Sequence, residues 1–215
     1  RAIYKAKAEV RPALAQLLNG AGVFYYGWKL GPRKRTIRQT FPRAFSDLVI
    51  DSARAHRLDP NLLWAGMRTE STFRPDAVSP VGATGLMQIM PSTGRRLAMG
   101  MELKGFYHQQ LYSPKLNLRM SGWYMRSVLD KFKEQLPLVA AAYNGGPHNV
   151  ARWLRRRGGD TDLDEFVEEM PFTESRRYGK KILRRVALYE RVHCGKDDRL
   201  QSNNLDSTYL AFPNF

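Results

Sequence analysis

Apolar residues recur at helical spacing along most of the chain, and no stretch alternates between apolar and polar residues as a strand would. The longest patterns, over residues 60–70, 114–132 and 173–192, each predict a helix with one buried face. Shorter helices are predicted over residues 42–57, 92–98, 137–144, 147–157 and 160–169. We therefore predict a mainly α fold.

The N-terminal part of the chain predicts a separate helical appendage. Helical spacing of apolar residues up to Leu18 ends at Gly20 and Gly22, and an aromatic helix follows from Phe24. Residues 31–39 are basic and turn-prone, as in a linker. The appendage could be the end of an upstream helical domain or an accessory element packed on the main domain. We expect a fragment, because the chain begins with Arg1 and shows no signal peptide.

This pattern divides the chain into three regions. Residues 1–38 form the N-terminal helical segment and linker, and residues 39–192 form the main helical domain. Residues 193–215 form a C-terminal tail without a clear pattern. No apolar run approaches the roughly 20 residues that a transmembrane helix needs, so we expect no transmembrane segment.

The most informative stretch is residues 70–93, here called the signature segment, which is rich in glycine and proline. It opens with Glu70, in the last turn of a helix that Asp59 and Pro60 are expected to start. The negative end of the helix dipole and partial burial would both raise the pKa of this carboxyl, as a general acid requires. The alternative is a surface glutamate paired with Arg68 or Arg74.

Three ordered motifs then resemble one known family. The signature segment contains E-S-T-F followed by S-P-V-G-A-T-G-L-M-Q-I-M-P-S-T, residues 142–147 read A-Y-N-G-G-P, and residues 171–178 read P-F-T-E-S-R-R-Y. Together they resemble the soluble-type lytic transglycosylases of the lysozyme-like superfamily, over about residues 42–190. The resemblance implies a lysozyme-like catalytic domain with an N-terminal helical appendage. The departures are small, such as Ser121 and Gly179 within helices.

The resemblance also implies an activity. Such enzymes cleave the β-1,4 bond between N-acetylmuramic acid and N-acetylglucosamine in peptidoglycan and form 1,6-anhydro ends. Glu70 would act first as acid and then as base, without a cofactor or metal. A hydrolase of the same bond and a non-catalytic cell-wall-binding domain remain the alternatives. The substrate implies a periplasmic or cell-envelope location.

Several further residues are implied by the family motifs to bind substrate. They are Ser79, Gln88, Met90, Tyr143, Asn144 and Glu174. Tyr143 is expected to place its hydroxyl against the Glu70 carboxyl or the sugar. Structural alternatives stay open, namely a turn cap for Ser79, core packing for Met90, a backbone hydrogen bond for Tyr143 and helix capping for Glu174.

The net charge of +15 indicates an anionic partner. Nucleic acid and the carboxylate-rich cell wall both qualify, but no nucleic-acid-binding motif accompanies the basic runs, so we expect no nucleic acid. The single cysteine, Cys194, excludes an internal disulfide, and His108 has no second histidine at metal-ligand spacing. We expect a monomer acting on peptidoglycan strands.

Overall fold

The computed structural model describes residues 10–30, 37–157 and 163–194. Most of the predicted C-terminal tail and part of the predicted linker lie outside these ranges. Within them the chain forms the helices α1 (Arg11–Gly20), α2 (Phe24–Leu30), α3 (Ile37–Thr40), α4 (Ser46–His56), α5 (Pro60–Glu70), α6 (Pro91–Gly100), α7 (Pro114–Lys131), α8 (Leu136–Gly145), α9 (Pro147–Arg157), α10 (Leu163–Glu168) and α11 (Thr173–Cys194). A 3₁₀ helix, His108–Tyr112, precedes α7.

The mainly α prediction is confirmed. Within the described ranges, β-structure is limited to two isolated bridges inside the signature segment, Val78 with Thr84 and Thr84 with Ile89. None of the described helices is both long and apolar enough to cross a bilayer.

Most predicted helix starts are confirmed, because proline and capping side chains are local determinants. At α5, the Asp59 carboxylate accepts a hydrogen bond from the Asn61 amide at 2.8 Å, and Pro60 occupies the first helical position. The predicted start of α4 at Pro42 is wrong, since the helix begins at Ser46. Phe45 has a left-handed backbone, with φ of 54°, which prevents the helix from extending further toward the N-terminus.

Helix α5 forms the centre of the main domain. Residues 61–67 are all buried, and the Trp64 indole donates to the Ala44 carbonyl at 2.9 Å. Helix α11 packs against both α5 and α8, and α4 packs against α7. Gly122 on α7 permits the close contact between α4 and α7, because a Cβ there would lie 2.5 Å from the Ser52 hydroxyl oxygen. The packing brings the C-terminal end of α5 against the N-terminal half of α11.

The N-terminal helices α1 and α2 pack on each other, and residues of α2 contact the main domain. The rings of Phe24 and Phe45 lie 4.8 Å apart in an edge-to-face arrangement. The Arg68 guanidinium lies 5.6 Å from the Trp28 ring, and the Arg74 guanidinium lies 5.1 Å from the Tyr25 ring. The appendage therefore rests on residues that flank Glu70, whereas its relation to any upstream domain stays a prediction.

Candidate active site

Glu70 is the last residue of α5, and the chain reverses direction immediately after it. Thr72 and Phe73 both have left-handed backbones, with φ of 53° and 65°. Such conformations cost roughly 1–3 kcal/mol each and need support from their surroundings. Here the Phe73 ring is fully buried, and the Ser71 hydroxyl donates to the Leu86 carbonyl at 2.8 Å. The reversal is thereby fixed, and Glu70 is held at the end of its helix.

The Glu70 carboxyl is partly enclosed and accepts a hydrogen bond from the Tyr178 hydroxyl at 2.5 Å. Burial is the largest influence and raises the pKa of Glu70 to about 7. The Tyr178 hydrogen bond and the Lys181 charge act in the opposite direction, and the Glu174 charge adds slightly to the rise in pKa. The raised pKa expected from burial is confirmed, so this carboxyl can carry a proton near neutral pH.

Glu70 opens onto a cleft with a volume of about 540 Å³. Its lining comes from the ends of α5 and α8 and from the first turns of α11. The lining residues are Thr69, Glu70, Asn144, Thr173, Glu174, Arg177, Tyr178 and Lys181. The cleft therefore brings together three of the predicted site residues, Glu70, Asn144 and Glu174. Glu174 lies in the first turn of α11, where the helix dipole stabilises negative side chains.

Asn144 is exposed at the end of α8, and a hydrogen bond from α11 orients its side chain. The buried Ser175 hydroxyl donates to the Asn144 side-chain oxygen at 2.9 Å. This bond ties the end of α8 to the start of α11, the two elements that form one wall of the cleft. It also leaves the NH₂ group of the amide as the part that can reach a ligand.

The tyrosine at Glu70 is a different one from that expected. The Tyr143 hydroxyl donates to the Met87 carbonyl at 3.1 Å, and the position against the Glu70 carboxyl belongs to Tyr178. Tyr143 nevertheless lies close enough that its pKa is raised, first by burial and then by the Glu70 charge. Its phenol links the signature segment to α8, and its contact with sugar stays a prediction. Tyr178 closes the third sequence motif, four residues after Glu174, a spacing that places both side chains on one helix face.

The other predicted residues lie in the signature segment and do not line this cleft. Ser79 caps a turn, since its hydroxyl accepts from the Ala83 amide at 3.0 Å. The Gln88 side-chain NH₂ donates to the Ala77 and Gly85 carbonyls at 3.2 and 2.9 Å. These contacts give both residues a structural role. Met90 is 37% exposed just before α6, and substrate binding by all three residues stays a prediction.

Sequence reasoning assigned no role to Asn117, which holds the signature segment in place. Its buried side-chain oxygen accepts from the Met87 amide at 2.9 Å, and its nitrogen donates to the Thr84 and Leu111 carbonyls at 3.1 and 3.0 Å. Gly85 has φ of 80° and lies directly against this amide. A side chain at Gly85 would displace Asn117, so close approach explains the glycine as well as its backbone conformation.

His108, predicted to be no metal ligand, also supports this segment. Its Nε2 lies 2.9 Å from the Thr84 hydroxyl and 3.2 Å from the Gly82 carbonyl. Across the described ranges, no group of three or more histidine, cysteine or acidic side chains is placed to hold a metal ion.

Comparisons with known proteins identify one family. Residues 47–165 match the family described as Transglycosylase SLT domain. Soluble lytic murein transglycosylase from Salmonella typhimurium is 34% identical over 169 residues, covering 78% of this chain and 26% of that protein. The chain thus spans about a quarter of this relative's length.

Two solved structures share the fold at 29% sequence identity. The 70 kDa soluble lytic transglycosylase from Escherichia coli gives a TM-score of 0.78, covering 88% of this chain and 31% of its own. An inactive Glu-to-Gln mutant of the lytic transglycosylase Slt from Pseudomonas aeruginosa gives a TM-score of 0.72. The match covers 89% of this chain and 31% of the Slt chain.

Proposed function

Since the chain belongs to the Transglycosylase SLT domain family, we propose that it is the catalytic part of a peptidoglycan lytic transglycosylase. The observation that carries this proposal is the Glu70 carboxyl, with its hydrogen bond from Tyr178 and its pKa of about 7. A carboxyl with these properties can deliver a proton near neutral pH and take one back. An inactive Glu-to-Gln mutant among the similar structures agrees with a mechanism that depends on a glutamate.

The reaction needs a single carboxyl. Protonated Glu70 gives its proton to the oxygen between N-acetylmuramic acid and N-acetylglucosamine, and the bond from that oxygen to the muramyl C1 breaks. The Glu70 carboxylate then takes the proton of the muramyl 6-hydroxyl while O6 bonds to C1. The product carries a 1,6-anhydro ring, no water is consumed, and Glu70 is protonated again. The 2-acetamido group of the substrate is available to stabilise the positive charge at C1.

Glu174 supports a second candidate, a hydrolase of the same bond. Hydrolysing glycosidases use two carboxyl groups that flank the scissile bond, one as acid and one as base or nucleophile. Glu174 lines the same cleft as Glu70, and its charge acts on the pKa of Glu70. In this reading, Glu174 would activate a water molecule.

Mass spectrometry of fragments released from purified peptidoglycan separates the two candidates. A transglycosylase releases anhydro-muramyl ends, which are lighter by one water than the reducing ends that a hydrolase releases. Glu70→Gln should abolish release in both cases. Glu174→Gln should preserve anhydro ends under our proposal and abolish the reaction if Glu174 is the base. Reducing ends from the wild-type protein would overturn the transglycosylase assignment, and unchanged release by Glu70→Gln would overturn the role of Glu70.

The same proposal includes the cellular location, the oligomeric state and the binding partner of the enzyme. Its polymeric substrate lies in the bacterial cell envelope, so we place the protein in the periplasm or at the envelope. We expect it to act as a monomer on glycan strands and not to bind nucleic acid. The net charge of +15 suits a polymer whose peptide branches carry carboxylates.

A further inference from the structure

One face of α11 carries positive charge directly beside Glu70. Arg177 and Lys181 both line the cleft, and they lie one helical turn apart, about 6 Å along the axis. Tyr178 and Arg185 fix the direction of this face, because Tyr178 contacts Glu70 and the Arg185 guanidinium donates to the Thr69 hydroxyl at 2.7 Å. The proposed chemistry uses neither Arg177 nor Lys181.

These two charges have no ion-pair partner within the described parts of the chain. Their neighbour Lys180, by contrast, pairs with the Glu168 carboxylate. Both Arg177 and Lys181 are exposed to solvent in the cleft. A cation that lies exposed in a cleft without a partner is free to bind an anionic ligand.

The charge balance of the cleft also favours an anion. With Glu70 protonated, the described lining residues carry two cations, Arg177 and Lys181, against the single carboxylate of Glu174. Arg185 adds positive potential behind Lys181, whose pKa is lowered first by the partial burial of its side chain and then by that charge. Glu174 and Lys181 are seven residues apart, about 10 Å along the helix. At this separation the Glu174 carboxylate does not neutralise the positive charge of Lys181.

We propose that Arg177 and Lys181 form an anion subsite that binds a carboxylate on the muramyl branch of the substrate. This carboxylate is either the lactyl carboxylate of a muramyl residue without a peptide or a carboxylate on the attached peptide, and the assignment rests on the proposed function. A guanidinium can hold a carboxylate through two parallel hydrogen bonds, and an ammonium one turn away adds a further charge-assisted bond. The subsite would distinguish muramyl-containing glycans from neutral ones.

Calorimetric binding to three probes tests the subsite. The probes are a neutral N-acetylglucosamine oligosaccharide, a muramyl disaccharide with a free lactyl carboxylate, and the same disaccharide with its peptide attached. The variants are Arg177→Gln and Lys181→Gln. Lys180→Gln is the matched control, because it removes the same charge from the same helix outside the cleft.

Each cleft variant should weaken binding of a carboxylate-bearing probe about tenfold, the usual effect of losing a charge-assisted hydrogen bond. Binding of the neutral probe should stay unchanged, which also shows that the fold is intact. The effect should shrink at high ionic strength. A loss for the free lactyl probe identifies the lactyl carboxylate, whereas a loss only for the peptide-bearing probe identifies the peptide.

Equal losses for neutral and charged probes, no loss for either, or an equal loss in Lys180→Gln would each overturn the subsite. If the wild-type protein still releases anhydro fragments in that case, the proposed function stands without the subsite. If the wild-type protein binds no probe and releases no fragments, the proposed function fails and the subsite fails with it.

Discussion

Replacing Glu70 by glutamine should make the free energy of unfolding less sensitive to rising pH. The amide resembles the protonated carboxyl in shape but has no proton to lose. In the folded protein the pKa of Glu70 is about 7, against an ordinary value of 4.5. Since one pKa unit corresponds to about 1.4 kcal/mol, this difference amounts to about 3 kcal/mol of unfolding free energy.

The direction of this change in stability with pH follows from which state, folded or unfolded, binds the Glu70 proton more tightly. Below pH 4.5 both the folded and the unfolded wild-type chain hold the Glu70 proton. Between pH 4.5 and about 7 the unfolded chain has lost it while the folded chain retains it, so stability falls as pH rises. Above about pH 7 the loss is complete. The variant escapes this decline, and any constant offset from the altered Tyr178 contact cancels in the pH dependence.

Urea unfolding of the wild-type protein and Glu70→Gln across this pH range measures the effect. The difference in unfolding free energy should change by about 3 kcal/mol in favour of the variant. Glu102→Gln, at an exposed glutamate, controls for the loss of one negative charge. Parallel curves for the wild-type protein and Glu70→Gln, or a wild-type protein that gains stability relative to the variant as pH rises, would refute the reasoning.

Three further substitutions test the support around this acid. Tyr178→Phe removes a hydrogen bond that lowers the pKa of Glu70, so the alkaline limb of the kcat/KM profile should move to higher pH while activity falls at least about tenfold; an unmoved limb would contradict this. Gly85→Ala would place a Cβ 2.3 Å from the Asn117 amide nitrogen, whereas Gly105, also at positive φ, has nothing within 4 Å. In urea unfolding, Gly85→Ala should cost about 3 kcal/mol or more and Gly105→Ala about 1 kcal/mol, and similar losses would argue against the clash. Asn117→Leu leaves the Met87 amide and the Thr84 and Leu111 carbonyls without their hydrogen-bond partner, and should lower the unfolding free energy by at least about 3 kcal/mol. A loss below about 1 kcal/mol would show that other groups replace the Asn117 side chain.

The features that could be predicted from the sequence are those set by neighbouring residues. Asp59 and Pro60 determine where α5 begins, so the position of Glu70 in its last turn followed from counting residues. The start of α4 could not be found in this way, because the left-handed backbone at Phe45 overrides the preference of Pro42 for a helix start. That conformation depends on packing rather than on the local pattern.

The partners of Glu70 were harder to predict because they are distant in the sequence. Tyr178 lies 108 residues after Glu70, and the two meet only because α11 packs across the end of α5. Two motif tyrosines could have met the carboxyl, and their spacing does not say which one does. The packing of α8 directs the Tyr143 hydroxyl to the Met87 carbonyl instead.

The proton affinity of Glu70 is the result of opposing influences, and one of them depends on what the cleft contains. Burial and the Glu174 charge favour the protonated form, while Tyr178 and Lys181 favour the carboxylate. An anion bound at Lys181 offsets the positive charge that faces Glu70 and therefore strengthens proton binding by the acid. By thermodynamic reciprocity, the protonated enzyme binds that anion more tightly. A substrate carrying the carboxylate would thus be held best by the form of the enzyme that can protonate its glycosidic oxygen, whereas a neutral glycan would gain no such advantage.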